Sequence, residues 1–190
     1  MTIMEKRRCK WAENVEEIYV KYHDEEWGRP VFDDHKLFEM LVLESFQAGL
    51  SWITILKKRE AFKQAFDDFQ VEKVADYQND KIESLMGNKN IVRNRRKIQA
   101  TIQNAQIIMK IQQEYGSFAN YIWSFTDHKV QYLNHGSPKT SSELSDRISH
   151  DLRKRGMRFV GTIIIYSYLQ AVGIVQDHEE ACYLHNKEFI

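Results

Sequence analysis

Two cysteines and two histidines have the residue types and the spacing of a metal site. Cys9 and His23 lie near the start of the chain, and His178 and Cys182 lie near its end. His178 and Cys182 are four positions apart, so on a helix they would share one face. Two thiolates and two imidazoles form a closed tetrahedral set that suits Zn²⁺. The pattern predicts one structural zinc that joins segments 9–23 and 178–182, and the alternative is a small buried cysteine and surface histidines without a common role.

The C-terminal pair also permits a catalytic interpretation. The order His178-Glu179-x-x-Cys182 is related to the H-E-x-x-H pattern, in which the glutamate activates a metal-bound water. A catalytic zinc needs an open coordination position, and a fourth protein ligand would close it. A zinc hydrolase that acts through Glu179 is therefore the alternative that the complete ligand set disfavours.

Aromatic residues and one acid are concentrated around the turns that flank one predicted helix. They are Tyr22, Trp27, Glu44, Gln47 and Trp52. Stacking on an aromatic ring contributes about 1–3 kcal/mol per base, and cation–π attraction adds to it in a dry site. A carboxylate can accept hydrogen bonds from an exocyclic amine and offset positive charge. This group predicts a slot for a flat, electron-poor or cationic ring, and the alternative is ordinary core aromatics beside a partly buried glutamate.

A basic segment, residues 85–98, contains a turn with Gly87 between two predicted helices. The start of a helix presents unpaired N–H groups and a positive dipole end, which together with basic side chains can hold a phosphate. We therefore expect a helix-hairpin-helix-like element over about 80–114 that holds the DNA backbone, although a solvated basic helix face is the alternative. The candidate DNA-binding residues of this element are Asn90, Arg93, Arg95, Arg96 and Lys97. A second basic cluster consists of Arg153, Lys154, Arg155 and Arg158.

Helical periodicity places these residues on a series of helices. A helix is expected to begin at Asp33 or Asp34 and to end at Gly49, which puts Glu44 on or beside its apolar face. Thr140 and Glu143 fit a capping box that opens another helix. Further helices are expected over 51–66, 80–87, 93–114 and 159–173, of which the last is apolar on most sides, as a central helix should be.

Composition limits the fold and the class of protein. The chain has 190 residues, of which 43% are hydrophobic, and only two prolines and eight glycines, which favours one all-α domain over residues 1–190. The 27 basic and 27 acidic residues exclude a uniformly basic protein that coats nucleic acid. Two cysteines are too few for a disulfide-rich secreted scaffold. No apolar stretch is long enough to span a membrane, and none follows the basic N-terminus as in a signal peptide. We therefore expect a cytoplasmic protein without a membrane partner.

Several long strings resemble the constitutive 3-methyladenine DNA glycosylase I family, the Tag type. They are KYHDEEWGRP, KLFEMLVLESFQAGLSWITILKKREAF, NIVRNRRKIQATIQNA and KRGMRFVGTIIIYSYLQAVGIVQDH. The string E-x-x-Q-A-G-L-S-W together with the four candidate metal ligands is specific, and the resemblance extends over essentially the whole chain.

This resemblance implies a helix-hairpin-helix DNA repair enzyme with one structural zinc, which we expect to be a monomer. It would remove 3-methyladenine from alkylated double-stranded DNA by hydrolysing the N-glycosidic bond, release the free base, and have no lyase activity. Glu44 would hydrogen-bond the extruded base as the catalytic residue, Tyr22 and Trp52 would stack on it or line it, and Trp27 would complete the pocket.

The resemblance also assigns the remaining candidate residues. Cys9, His23, His178 and Cys182 would bind zinc. Gly49 and Leu50 would meet the gap left in the duplex, with Leu50 as a wedge, and the weakened pairing of the lesion would help to select it.

The sequence departs from the family's pattern at some positions. Asn90 stands where glycine often precedes I-I-R, which puts phosphate approach at that turn in doubt. Phe46 puts a bulky ring near the predicted pocket. The pattern L-P-G-V-G…V-D, with the catalytic aspartate of larger relatives, is absent, which leaves Asp127 as a candidate.

The charge of the implied substrate suggests a mechanism. Methylation at N3 makes adenine a cation, so the base leaves as a neutral group and little acid catalysis is needed. We expect ionised Glu44 and the aromatic walls to discriminate the base, and the DNA phosphates and positioning to supply much of the rate. The alternative function is a noncatalytic zinc-stabilised helical DNA-binding protein.

Overall fold

The chain forms a bundle of helices with one very short pair of strands. A computed structural model describes residues 6–133 and 139–189. Its α-helices, in chain order, are α1 (Glu17–Glu25), α2 (Asp34–Gln47), α3 (Trp52–Ala65), α4 (Val71–Ala75), α5 (Asn79–Gly87), α6 (Arg95–Tyr115), α7 (Phe118–Ser124), α8 (Glu143–Lys154) and α9 (Thr162–Ala171). Two short 3-10 helices cover Lys10–Ala12 and Asp67–Phe69. The all-α class is confirmed, and the parallel pair β1 (Gln131–Tyr132) and β2 (Val175–Gln176) was not predicted.

Helix α2 lies at the centre of the bundle. It begins as predicted, because the Asp33 side chain caps it by accepting a hydrogen bond from the Lys36 N–H at 2.8 Å. Every residue from 37 to 46 is buried, and α3, α6, α7 and α9 pack against the helix. The segment expected to be central, residues 159–173, is less enclosed, because α9 starts at the surface and leaves Ile163 60% exposed.

Two helical hairpins pack beside α2. In the first, a loop over residues 88–94 joins α5 to α6, and the Asn94 side chain caps α6. In the second, a turn over residues 155–161 joins α8 to α9. The predicted capping box of α8 is wrong: the helix starts at Glu143, so Ser142 occupies the cap position and exchanges hydrogen bonds with Ser145.

The two ends of the described chain pack against each other. The Tyr183 N–H donates to the Arg7 carbonyl oxygen at 2.9 Å. The segment that contains His178 and Cys182 is a series of turns, so the two ligands do not lie on a helix face. They converge because a turn brings the Cys182 N–H to the Glu179 carbonyl oxygen at 2.8 Å. Among the described residues, no helix combines the length and the hydropathy that a bilayer span requires.

Candidate functional site

A cavity of about 890 Å³ contains the predicted aromatic and acidic residues. Tyr22 comes from α1, Glu44 and Gln47 come from α2, Trp52 begins α3, and Trp27 follows α1. Residues from three neighbouring elements thus meet at one concave surface, which is the usual form of a small-molecule site. The structure therefore places the predicted pocket residues in one cavity.

Other cavity residues were missed by the sequence analysis. They include Trp11, Tyr19, Ser167 and Gln170. Tyr19 could have been found, because it lies three positions before Tyr22 and thus on the same face of a helix. Ser167 and Gln170 come from α9, which lies far from α1 in the sequence, and no local pattern connects the two helices.

The carboxyl group of Glu44 is buried, since the residue is only 4% exposed. Burial raises the pKa of this carboxyl to about 8, because the charged form loses its hydration. Without a cation beside it, Glu44 is therefore mostly protonated near pH 7. A cationic ring in the cavity would favour the ionised form.

Aromatic rings form the walls near this carboxyl. The Tyr22 and Trp52 rings lie 5.4 Å apart between centroids and are tilted by 54°. Burial, and then the proximity of Glu44, raise the pKa of the Tyr22 hydroxyl well above its usual value, so this wall stays neutral. Trp11 and Trp27 meet edge to face at 5.1 Å. The expectation that Phe46 shapes the pocket is wrong, since its ring is fully buried and packs on Phe62 at 4.8 Å.

The four predicted metal ligands form one buried cluster. Their ligand atoms all lie within 4.8 Å of one another. The Cys182 Sγ atom lies 3.5 Å from His23 Nε2, and the Cys9 Sγ atom lies 3.5 Å from His178 Nδ1. Tetrahedral Zn²⁺ with Zn–S of about 2.3 Å and Zn–N of about 2.0–2.1 Å requires a sulfur–nitrogen separation of roughly 3.6 Å. The donor atoms and their separations therefore fit a tetrahedral metal ion.

Backbone groups hold the two sulfur atoms of this cluster. The Glu179 N–H donates to Cys9 Sγ at 3.4 Å, and the Leu184 N–H donates to Cys182 Sγ at 3.5 Å. The Cys9 thiol and the nearby histidine nitrogens lower the pKa of Cys182, which favours a thiolate there. The Glu179 carboxylate instead accepts the Lys10 N–H at 3.0 Å, and it is not one of the clustered ligands.

The basic residues of the first hairpin differ in their surroundings. Arg93 and Arg96 are exposed, whereas Arg95 makes a two-pronged ion pair with Glu83 at 2.7 and 2.8 Å. Lys97 contradicts the prediction of a phosphate-binding side chain, because it is only 6% exposed. Its Nζ atom donates to the carbonyl oxygens at the end of α2, and burial lowers the pKa of its ammonium group.

The turn between α2 and α3 presents its residues to solvent. Gly49 has φ +84°, a conformation that glycine adopts without strain, and a side chain there would meet open space. Leu50 is 40% exposed. The Asn90 carbonyl oxygen accepts a hydrogen bond from Lys58 at 3.1 Å, which ties the loop of the first hairpin to α3, and Asn90 does not adopt a positive φ.

Buried and half-buried side chains hold the turn of the second hairpin by its carbonyl oxygens. Gln103, Asn104, Ser45 and Ser149 donate to the carbonyl oxygens of residues 156, 158, 159 and 160, respectively. Within the described residues, the backbone N–H groups of residues 159–164 have no protein acceptor.

Among the described residues, most members of the basic cluster of the second hairpin make no ion pair. Arg153, Lys154 and Arg158 are exposed, whereas Arg155 pairs with Glu114 and Asp151. The turn thus combines N–H groups that lack an acceptor in the described part of the chain with positive charge. Asp127 lies exposed on a turn after α7, and it is not among the described residues that line the cavity.

Comparisons with known proteins agree with this geometry. The sequence model of the methyladenine glycosylase family matches residues 11–185. The chain is 45% identical to DNA-3-methyladenine glycosylase 1 of Escherichia coli (strain K12) over 92% of this chain and 95% of that protein. It is 41% identical to DNA-3-methyladenine glycosylase of Haemophilus influenzae over 92% and 96%, respectively. A solved structure on 3-methyladenine recognition by 3-methyladenine DNA glycosylase I from Staphylococcus aureus is similar with a TM-score of 0.90 at 38% identity, over 96% of this chain and 98% of that one.

Proposed function

The chain belongs to the methyladenine glycosylase family, and we propose that it performs the base-excision step that releases 3-methyladenine from alkylated DNA by hydrolysis of the N-glycosidic bond. The observation that supports this most directly is the cavity in which Glu44 meets the rings of Tyr22 and Trp52. A duplex must extrude the nucleotide before its base can reach such a cavity, and the damaged base unpairs more easily than a normal one.

Base recognition rests on charge and on flat surfaces. Tyr22 and Trp52 offer faces for stacking, and Trp27 adds a third aromatic wall. Glu44 accepts hydrogen bonds from the base when it is ionised, and the positive charge of 3-methyladenine favours that form. An uncharged adenine does not stabilise the ionised carboxylate, so this arrangement discriminates against undamaged bases.

Catalysis then requires only a modest contribution from side-chain chemistry. The base is cationic before the bond breaks and neutral afterwards, so the leaving group needs no added proton. Water attacks the sugar, which develops oxocarbenium character in the transition state. Glu44 and the aromatic walls hold the base while the bond lengthens, and the DNA contacts position the sugar. We expect a monofunctional enzyme without lyase activity, acting as a monomer.

The surface around the two hairpins is suited to the DNA backbone. Leu50 and Gly49 lie exposed at the α2–α3 turn, where Leu50 can fill the gap left by the extruded nucleotide. Lys89, Arg93 and Arg96 are exposed cations around the turn of the first hairpin. The second hairpin has exposed basic residues and N–H groups without an acceptor among the described residues, so it fits a phosphate better than the first, and we propose it as the main helix-hairpin-helix contact.

The metal cluster supports a structural rather than a catalytic Zn²⁺. Two cysteines and two histidines supply four ligands, so no coordination position is left for water. Zn²⁺ at this cluster would join the first and last segments of the described chain. Metal analysis of purified protein should find about one equivalent, and Cys182→Ala should lose both the metal and stability.

The decisive experiment is incubation of the protein with alkylated double-stranded DNA, followed by chromatography of the released bases. We expect free 3-methyladenine from wild type and strongly reduced release from Glu44→Gln and from Trp52→Ala. Glu72→Gln, which changes an exposed acid of α4, serves as the matched control. Undiminished release from both cavity variants would refute the assignment of this cavity. DNA binding without any released base would favour the noncatalytic DNA-binding alternative.

A further inference from the structure

We propose that Asp24 positions the metal cluster through His23, and that the cluster in turn braces one wall of the base cavity. The His23 ring is fully buried, and its Nδ1 atom lies 2.8 Å from Asp24 Oδ1. Since a carboxylate can only accept, Nδ1 holds the hydrogen and the lone pair lies on Nε2. Nε2 is the atom that faces Cys182, as a metal ligand must.

Asp24 is itself fixed from the N-terminal segment. Arg8 donates from Nε to Oδ1 at 2.9 Å and from Nη2 to Oδ2 at 2.8 Å. Such a two-pronged pair defines the orientation of both groups. Arg8 precedes Cys9 in the chain, so one side chain ties the segment that contains a cysteine ligand to the helix that contains a histidine ligand.

The other histidine of the cluster has no comparable partner. His178 Nδ1 faces the sulfur atoms, and its buried Nε2 atom has no hydrogen-bond partner among the described residues. Only His23 is therefore oriented by a carboxylate. A change at Asp24 should therefore act directly on His23 and, through the lost Arg8 pair, on the segment of Cys9, without a direct effect on His178.

The two histidine rings also support tryptophans of the cavity wall. Trp11 packs edge to face on His23, with 5.0 Å between the ring centroids. Trp27 packs in the same way on His178, with 4.7 Å between the centroids. Trp11 and Trp27 both line the cavity and contact each other. If the imidazoles lost their fixed orientation, the tryptophans would lose the surfaces against which they pack. This second step rests on the proposed function of the cavity.

The first test measures Zn²⁺ affinity by competition with a chromogenic chelator. We expect Asp24→Ala to bind Zn²⁺ about 10–100-fold more weakly than wild type, as is typical when an outer-shell partner is removed. Asp24→Asn keeps an oxygen that can accept from Nδ1, so it should recover most of the affinity. Glu25→Ala, the exposed neighbour on α1, is the control. Affinity of Asp24→Ala within twofold of wild type would overturn the role of Asp24.

The second test measures binding of free 3-methyladenine by quenching of tryptophan fluorescence. Metal-free protein whose circular dichroism remains native should bind the base several-fold more weakly, and added Zn²⁺ should restore binding. Unchanged affinity without metal would overturn the bracing role. If the metal-free protein unfolds, the wild type and Asp24→Ala are instead compared with Co²⁺ bound. An altered d–d spectrum of the variant together with weaker base binding supports the proposal. Identical spectra and identical base affinities refute it. Failure of wild type to bind any base would instead count against the proposed function, and the chelator competition would still decide the role of Asp24.

Discussion

The ammonium group of Lys97 lies 2.8 Å from the carbonyl oxygen of Phe46, at the end of the helix that contains Glu44. It also lies 3.0 Å from the carbonyl oxygen of Ala48. The last turn of a helix has carbonyl groups without intrahelical partners, and here a cation from α6 satisfies two of them. The contact links the base cavity to the first hairpin.

Replacement of this cation should destabilise the protein. Lys97→Met keeps the apolar stem and leaves two carbonyl oxygens without a donor, so we expect the free energy of unfolding to fall by about 1–3 kcal/mol. Urea denaturation measures the change, and Lys110→Met, on an exposed face of α6, is the control. If Lys97→Met had normal stability but weaker DNA binding, the phosphate-binding role that the sequence predicted for Lys97 would be supported instead.

The raised pKa of Glu44 should make stability depend on pH in a defined direction. The folded-state pKa of about 8 exceeds the usual 4.5, so the folded protein holds this proton more tightly than the unfolded chain. The stability that this proton contributes is fully present below about pH 4.5 and is lost as pH rises to about 8. Over this range the free energy of unfolding changes by at most about 1.4 kcal/mol per pH unit. Denaturation of wild type and Glu44→Gln across this range should show wild type losing stability relative to the variant. A difference that does not vary with pH would contradict the shifted pKa.

The exposed arginines of the first hairpin should contribute to DNA binding through charge alone. The double variant Arg93→Ala/Arg96→Ala should weaken DNA binding and reduce the slope of log affinity against log salt concentration by about 0.9 for each phosphate that is no longer neutralised. Arg95→Ala is the matched control, because this side chain is already paired with Glu83. A double variant with an unchanged salt slope would exclude these two arginines from the interface.

Asn104 should affect DNA binding through the second hairpin. Its side chain is only 4% exposed, and it both donates to the Arg158 carbonyl oxygen and accepts from the Arg158 N–H, each at 2.9 Å. Asn104→Ala should raise KM for alkylated DNA while affinity for free 3-methyladenine stays constant. Gln106→Ala, the control, removes an amide of the same helix that bonds Ala75 instead. Equal reductions in DNA affinity and base affinity would indicate general disruption rather than a displaced hairpin.

A substitution at Glu179 distinguishes a structural role of the metal from a catalytic one. Its carboxylate accepts a backbone N–H at the surface, and the four ligands complete the cluster without it. Glu179→Gln should therefore release 3-methyladenine at the wild-type rate and retain its metal. Loss of activity with the metal still bound would support the zinc hydrolase alternative.

The sequence predicted the residues of the two sites better than their local structure. Cysteine with histidine, and an acid among aromatic residues, are combinations with few chemical uses, so the four metal-ligand candidates and Glu44 could be identified without a structure. The local backbone was harder, because turns rather than a helix bring His178 and Cys182 together. Four positions along a chain are compatible with both arrangements.

Charge by itself did not predict exposure. Lys97 and Arg93 look equivalent in a basic segment, yet one is buried and the other is exposed. The difference depends on where the end of α2 lies relative to α6, and these helices meet only in the folded protein. Likewise, the donors that hold the second hairpin come from α2, α6 and α8, so no local pattern reveals them.

In the cluster of cysteines and histidines, Cys9 and His178 are 169 positions apart in the sequence. An ion bound there would close a loop of nearly the whole domain, and the chain-entropy relation for disulfides assigns a loop of this length about 5 kcal/mol. Unlike a disulfide, a bound metal ion dissociates reversibly, so the melting temperature of the protein would rise with the concentration of free ion. The lifetime of the folded enzyme would then follow the metal supply of its surroundings.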